Sequence, residues 1–205
     1  MQIERGNIYH IYNQGNNRQK IFFDRENYLF FLKKIRKYIL PYADVIAWCL
    51  MPNHFHLMVL VNEEELPVVS EGFAQSGSHG VTLSDAVTRQ RTINDSIGIM
   101  LRSYTRGINK KLDRSGKLFR EQTKAECVTC FNGPTPNFIN ANDINIKFPE
   151  EQYPQILFNY IHQNPVRAKL VEKEEDWEFS SAIDYFGKRN GKLINKKIAE
   201  EYVEF

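Results

Sequence analysis

Leu50-Met51-Pro52-Asn53-His54-Phe55-His56-Leu57-Met58-Val59-Leu60-Val61 sets two imidazoles on either side of one bulky apolar residue, inside an apolar run. Residues 54–61 are rich in aromatic and β-branched side chains, and Pro52-Asn53 reads as a turn after residues 45–50, so the stretch predicts the two strands of a hairpin. Along a strand, residues two apart share a face. His54 and His56 therefore project the same way, near enough to hold one divalent ion, while Phe55 and Leu57 enter the opposite layer. Ordinary strand histidines meeting solvent or core hydrogen bonds fit the same spacing, so the ligand reading depends on the rest of the chain.

Upstream, residues 7–14 form a short apolar and aromatic run closed by Gly15-Asn16-Asn17, a first strand. Asp24 caps a helix over residues 25–40, because Tyr28, Phe31, Leu32, Ile35 and Ile39 recur at helical spacing, and Pro41 ends it. Downstream, Glu63-Glu64-Glu65 leads into residues 70–80, rich in Ser and Gly, which read as a surface loop carrying a solvated His79. Residues 95–112 predict a helix with Ile97, Leu101, Tyr104, Ile108 and Leu112 on one stripe, placing Tyr104 in the core. After Ser115-Gly116, residues 117–128 read as another strand, and residues 131–149, with Gly133-Pro134-Thr135-Pro136, as a loop. A helix follows from Glu151, with Pro154 in its first turn and Pro165 ending it after Asn164. A shorter helix near 180–186 and a charged tail from Lys196 complete the chain. This order predicts an α+β fold, a central antiparallel sheet with the histidine strand near its middle and helices packed on its faces.

The 205 residues suffice for one domain with a real core, and 42% hydrophobic with 25% charged residues exclude a disordered chain. No apolar run is long enough for a membrane span, and residues 1–5 do not open a secretory signal, so the cytoplasm is the expected location. Cys49, Cys127 and Cys130 cannot build a disulfide framework, which fits a reducing compartment. Cys127-x-x-Cys130 has zinc spacing but no second cysteine pair to complete a site. The net charge is only +2, yet residues 102–124 hold eight cations (Arg102, Arg106, Lys110, Lys111, Arg114, Lys117, Arg120, Lys124) against Asp113 and Glu121. That polarity suits phosphate binding, and on charge alone it equally suits a solvated helix face.

Tyr160 and Asn164 lie one helical turn apart on one face. An Asn carbonyl oxygen can complete a metal shell begun by two imidazoles, and a phenol beside it can attack a phosphorus held there. Tyr104 has Ile108 in the corresponding place. Packing against Ile156, Leu157 and Ile161 is the alternative role of Tyr160.

Met51-Pro52-Asn53-His54-Phe55-His56-Leu57 resembles the His-hydrophobic-His (HUH) signature of the single-tyrosine transposases, a group that includes the REP-associated tyrosine transposases. Similar to the same family, and in its order, are Tyr9-His10-Ile11-Tyr12-Asn13 with Ile21-Phe22-Phe23-Asp24, Ser115-Gly116-Lys117-Leu118-Phe119, Tyr160-Ile161-His162-Gln163-Asn164-Pro165-Val166-Arg167-Ala168, and Trp177-Glu178-Phe179-Ser180-Ser181. The resemblance spans residues 9–186 and leaves segments near 66–92 and 127–149 as insertions. It implies a ferredoxin-like HUH nuclease fold in a single domain over residues 1–205, with His54, His56 and Asn164 as metal ligands and Tyr160, not Tyr104, as nucleophile. It also implies magnesium or manganese as the ion, and single-stranded or hairpin DNA as the partner.

The activity so implied is that of a single-stranded DNA endonuclease and strand transferase, a transposase, that leaves a 5′-phosphotyrosine and a free 3′-OH. The eight cations would hold phosphates, and bases would stack on Tyr9, Tyr12, Phe22 or Phe119. No membrane partner is expected, and a homodimer is compatible with the resemblance. Two rivals remain at this point: a domesticated, non-catalytic nucleic-acid-binding protein that keeps the fold, and a zinc-dependent regulator built on Cys127 and Cys130.

Overall fold

The computed structural model describes residues 3–69, 88–130 and 149–205. The loop expected at 70–80, with His79, and all but the last residue of the loop expected at 131–149 lie outside these residues. In chain order the elements are β1 (Ile8–Gln14), α1 (Arg25–Tyr38), β2 (Ala43–Met51), β3 (His54–Val61), β4 (Glu65–Val69), β5 (Thr88–Thr92), α2 (Ile93–Lys111), β6 (Lys124–Cys127), α3 (Tyr153–Arg167), α4 (Ala182–Tyr185) and α5 (Lys196–Ala199). The fold is mixed α+β. Four strands form an antiparallel sheet in the order β2-β3-β1-β6, and β4 and β5 pair separately at the two ends of the 66–92 insertion.

The hairpin read from the sequence is present, with Met51 opposite His54 across the Pro52-Asn53 turn. Alternation along the strands then divides the side chains into two layers. Phe55, Leu57, Val59 and Val61 of β3, with Tyr9 and Ile11 of β1, pack beneath α1 and α2 against Phe31, Ile35, Ile97 and Tyr104. Met58 and Leu60, with Ile8, Cys49 and Met51, meet Leu157, Phe158 and Ile161 of α3 on the other face. Coverage on both faces is why β3 reads as an almost unbroken apolar run. In β2 a register shift between Val45 and Ala47 reverses the alternation, which sends Trp48 and Leu50 to the α1–α2 side and Cys49 and Met51 to the α3 side.

Local chemistry explains the helix boundaries, and several of them differ from the sequence reading. Asp24 caps α1 by accepting from the Asn27 amide at 3.0 Å, but the helix stops at Tyr38, since the residue before Pro41 is kept out of helical geometry. Thr92 and Asp95 close a capping box, so α2 starts at Ile93 rather than 95. Leu112, on the stripe by spacing, falls past the helix end and is 39% exposed. Pro165 does not end α3, which runs on to Arg167. The stop is instead Lys169 in the left-handed region (φ 56°), with Leu170 donating to the Pro165 carbonyl and Lys169 to that of Val166, a Schellman arrangement. The crossing of α1 and α2 is close enough that a Cβ on Gly107 would lie 2.7 Å from the Phe30 ring.

Residues 117–128 were expected as one strand, but only Lys124–Cys127 joins the ladder. The preceding stretch touches the end of β1 only as an isolated Gly15–Phe119 bridge, and between the two pairings Asn13 Nδ2 donates to the Arg120 carbonyl and the Thr123 hydroxyl. Cys127 and Cys130 are joined in a disulfide, so neither sulfur is available to zinc, and the zinc-regulator reading fails on that ground. Among the described residues no helix is long and apolar enough to cross a membrane.

Tyr104 is fully buried, as expected, and its hydroxyl donates to the Ile21 carbonyl at 2.7 Å. Tyr104→Phe leaves that carbonyl without its donor and should lower unfolding free energy by about 1–3 kcal/mol, read as a reduced urea midpoint. Three histidines, His10, His56 and His162, are buried on the α3 side of the sheet. Burial lowers His10 and His162 to about 3, and lowers His56 well below its ordinary value, with the neighbouring imidazoles adding to the effect. Above pH 6.5 these groups are neutral folded and unfolded and add no pH dependence. As pH falls below 6.5 the unfolded chain takes up protons that the folded chain refuses, so stability falls until the folded values are reached. Between pH 7.5 and 5.5 the loss should be about 1.4 kcal/mol per histidine, checked by denaturant unfolding at the two pH values; equal stabilities would refute the burial of neutral imidazoles.

Candidate active site

The α3-facing layer of the sheet carries a row of polar side chains where the apolar packing gives out. His54 and His56 come from β3, His10 and Tyr12 from β1, and Lys124 and Glu126 from β6, placed side by side by the pairings Gln14–His54, Tyr12–His56, Tyr12–Lys124 and His10–Glu126. α3 lies across this face and delivers Tyr160. The result is a cleft of about 340 Å³ lined by Tyr12, Asn13, Gln14, His54, His56, Arg120, Gln122, Lys124 and Tyr160. The His54 and His56 rings stand 4.9 Å apart and nearly perpendicular, and the Tyr160 ring is 5.5 Å from that of His56.

Hydrogen bonds define what each nitrogen can do. The Asn53 side-chain oxygen can only accept, so His54 donates from Nδ1, at 2.7 Å, and carries its lone pair on Nε2. His56 Nδ1 lies 2.8 Å from His10 Nε2. The other His56 nitrogen, Nε2, is buried and has no hydrogen-bond partner among the described residues, a costly state that a ligand would relieve. Asn164 donates from Nδ2 to the Tyr160 carbonyl at 2.7 Å, leaving Oδ1 as its acceptor, and its amide interacts with both the His54 ring and the Tyr160 phenol. His54, His56, Asn164 and Tyr160, predicted from separate stretches, thus meet at one place. Two imidazoles and an amide oxygen fit a divalent ion. Among the described residues no group of three or more His, Cys, Asp and Glu side chains could hold a metal ion, so a metal shell here would need the Asn164 amide.

Burial sets the protonation states of the two imidazoles and the phenol. Burial lowers His54, with the Asn164 hydrogen bond opposing, and lowers His56 further, so both imidazoles are neutral at pH 7. Burial raises Tyr160; the Arg167 guanidinium, 5.5 Å from the ring centroid, and the Asn164 hydrogen bond pull back, while Glu126 adds to the rise. The phenol is therefore protonated at neutral pH and needs assistance to ionise.

The eight predicted cations do not act as one set. Arg102, Arg106, Lys117 and Arg120 line a groove of about 540 Å³ beside α2, and Arg120 and Lys124 line the cleft, so Arg120 borders both. Lys110, Lys111 and Arg114 line neither. Lys111 is paired with Asp24 at 2.7 Å, and Arg114 donates to Gln19 and lies over the Phe23 ring. Of the four stacking candidates, Tyr9, Phe22 and Phe119 are buried in the core beneath α1 and α2. Tyr12 lines the cleft, with its hydroxyl donating to Glu126 at 2.6 Å. Sequence reasoning gave no role to His10, Glu126 or Arg167. The period-two spacing of His10 and Tyr12 was visible, but not the register that sets them beside His56.

No family model matches the chain, and no curated protein matches it. Among solved structures it is similar to a REP-associated tyrosine transposase bound to a REP hairpin, with 14% sequence identity and a TM-score of 0.53, over 88% of this chain and 79% of that one. At that identity the likeness establishes a shared fold: the mixed α+β architecture with its four-stranded antiparallel sheet is structurally related to that transposase.

Proposed function

We propose that this chain is a metal-dependent single-stranded DNA endonuclease and strand transferase that works through a 5′-phosphotyrosine, with residues 1–205 acting as one catalytic unit. The observation that carries the reading is the convergence of Tyr160, His54 and His56 at one cleft, with Asn164 beside Tyr160 and His54 and with Arg120 lining both that cleft and a basic groove. That the structurally similar transposase is bound to a REP hairpin supports a nucleic-acid hairpin, read here as DNA, as the substrate.

His54, His56 and Asn164 would hold the ion, magnesium or manganese, which would polarise the scissile phosphate and offset charge in the transition state. Tyr160 attacks the phosphorus through its phenolic oxygen, losing its proton to solvent, and the P–O3′ bond breaks. The 3′ oxygen leaves and takes up a proton. The new ester is a 5′-phosphotyrosine that retains the phosphodiester energy, so a second 3′-OH can attack it, restore the phenol and join two ends without ATP. Arg167, packed over the Tyr160 ring, stabilises the phenolate as it forms, and Arg120 and Lys124 neutralise phosphates on either side of the cut. Arg102, Arg106 and Lys117 track the backbone as it leaves the cleft.

Incubating the protein with a labelled single-stranded hairpin and Mn²⁺ should give a covalent adduct that survives denaturation. Tyr160→Phe should lose it while remaining folded, and Tyr104→Phe should retain it. His56→Ala should abolish cleavage with hairpin binding largely unchanged. An adduct mapped to another residue would overturn the assignment, and hairpin binding with no adduct would make the protein a non-catalytic binder. For the groove, replacing Arg106, Lys117 and Arg120 together with Gln should flatten the slope of log affinity against log salt by about 2, on the order of 0.7 per single-strand phosphate contact. An unchanged slope would mean that these side chains form only a solvated face.

A further inference from the structure

The structure assigns to His10 the role of a positioning residue for the metal site: its Nε2 accepts the Nδ1 proton of His56 at 2.8 Å and so keeps the His56 lone pair on Nε2. This inference rests on the metal reading above. The two candidate ligand imidazoles are treated alike, each with Nδ1 facing a hydrogen-bond partner, the Asn53 side-chain oxygen for His54 and His10 for His56. Metal-binding histidines characteristically donate from their second nitrogen to a group that fixes tautomer and ring orientation. In the reverse arrangement His10 would donate to His56, leaving a proton on His56 Nε2, buried and without an acceptor among the described residues. That state occupies the nitrogen a metal would need, whereas a proton on His56 Nδ1 leaves it open.

The fold holds His10 where the role requires. His10 lies opposite Met58 and Tyr12 opposite His56, so His10 and His56 are diagonal neighbours across the β1–β3 pairing. The His10 ring is stacked on Tyr12 at 4.5 Å and on His56 at 5.1 Å, and the edge of Tyr160 lies 6.1 Å away. A neutral imidazole suits the task because, in this tautomeric pair, it accepts the hydrogen bond without adding a negative charge that would draw the proton off His56.

Two readouts other than activity test this. In ¹⁵N-histidine-labelled protein without metal, long-range ¹H–¹⁵N spectra should show His56 protonated at Nδ1. Mn²⁺ titration, followed by calorimetry or by loss of the free-ion electron paramagnetic resonance signal, should show about 10- to 100-fold weaker binding in His10→Phe. His10→Gln, whose Oε1 can accept in place of Nε2, should recover most of that loss. A His56 proton found on Nε2 in the unsubstituted protein overturns the inference without any variant. So does unweakened Mn²⁺ binding in His10→Phe when His56→Ala has lost it, a result that leaves the metal reading standing. Absence of Mn²⁺ binding by the unsubstituted protein overturns both.

Discussion

The antiparallel pairing of β1 with β3 is the constraint on which the site depends. It sets Tyr12 opposite His56 and Gln14 opposite His54, and through the neighbouring β1–β6 ladder it brings Lys124 and Glu126 to the same face. A slip of one residue would carry both candidate ligands into the α1–α2 core and present Phe55 and Leu57 to the cleft. The register is secured by burial on the opposite side, where Phe55, Leu57, Val59 and Val61 interlock with α1 and α2. The apolar half of β3 thereby fixes the polar half, and the chemistry is placed by packing that takes no part in it.

Burial in this layer has two electrostatic consequences that act together. It keeps His54 and His56 neutral, so that each can offer a lone pair at physiological pH, and it keeps the Tyr160 phenol protonated. The Arg167 guanidinium over the Tyr160 ring offsets part of the burial and supplies the positive charge that a phenolate requires. The same low-dielectric layer makes the fold sensitive to mild acid, because imidazoles that refuse protons in the folded state accept them once unfolded.

Charge alone could not separate a binding surface from a solvated helix, and the structure divides the basic segment on physical grounds. Lys111 and Arg114 are engaged with Asp24, Gln19 and Phe23 away from the groove, whereas Arg102, Arg106, Arg120 and Lys117, the last paired with Glu121 at 3.6 Å, line a groove that shares Arg120 with the cleft. Arg120 is thus the one cation that lines both the groove and the cleft holding Tyr160, His54 and His56.

Much of this was legible in the amino-acid order. Period-two alternation gave the histidine hairpin and its two faces, helical spacing gave the buried Tyr104, and the four-residue interval paired Tyr160 with Asn164, because these signals are local and set by backbone geometry. Helix ends were read less well. Pro165 is carried inside α3 and the stop falls to Lys169, since a proline removes one amide donor but does not compel the chain to leave the helix when packing holds it. The strand expected over residues 117–128 is reduced to four residues plus an isolated Gly15–Phe119 bridge, with Asn13, more than 100 residues earlier, bonding Arg120 and Thr123 in the gap between them. Cys127 and Cys130 turned out to be bonded to each other. The sequence by itself determined which residue types share a face within each element. Only the tertiary structure decided that His10 meets His56, that Arg167 covers Tyr160 and that Arg120 joins groove to cleft, because strand register and helix crossing are settled by the packing of the whole core and leave no periodic trace in the chain.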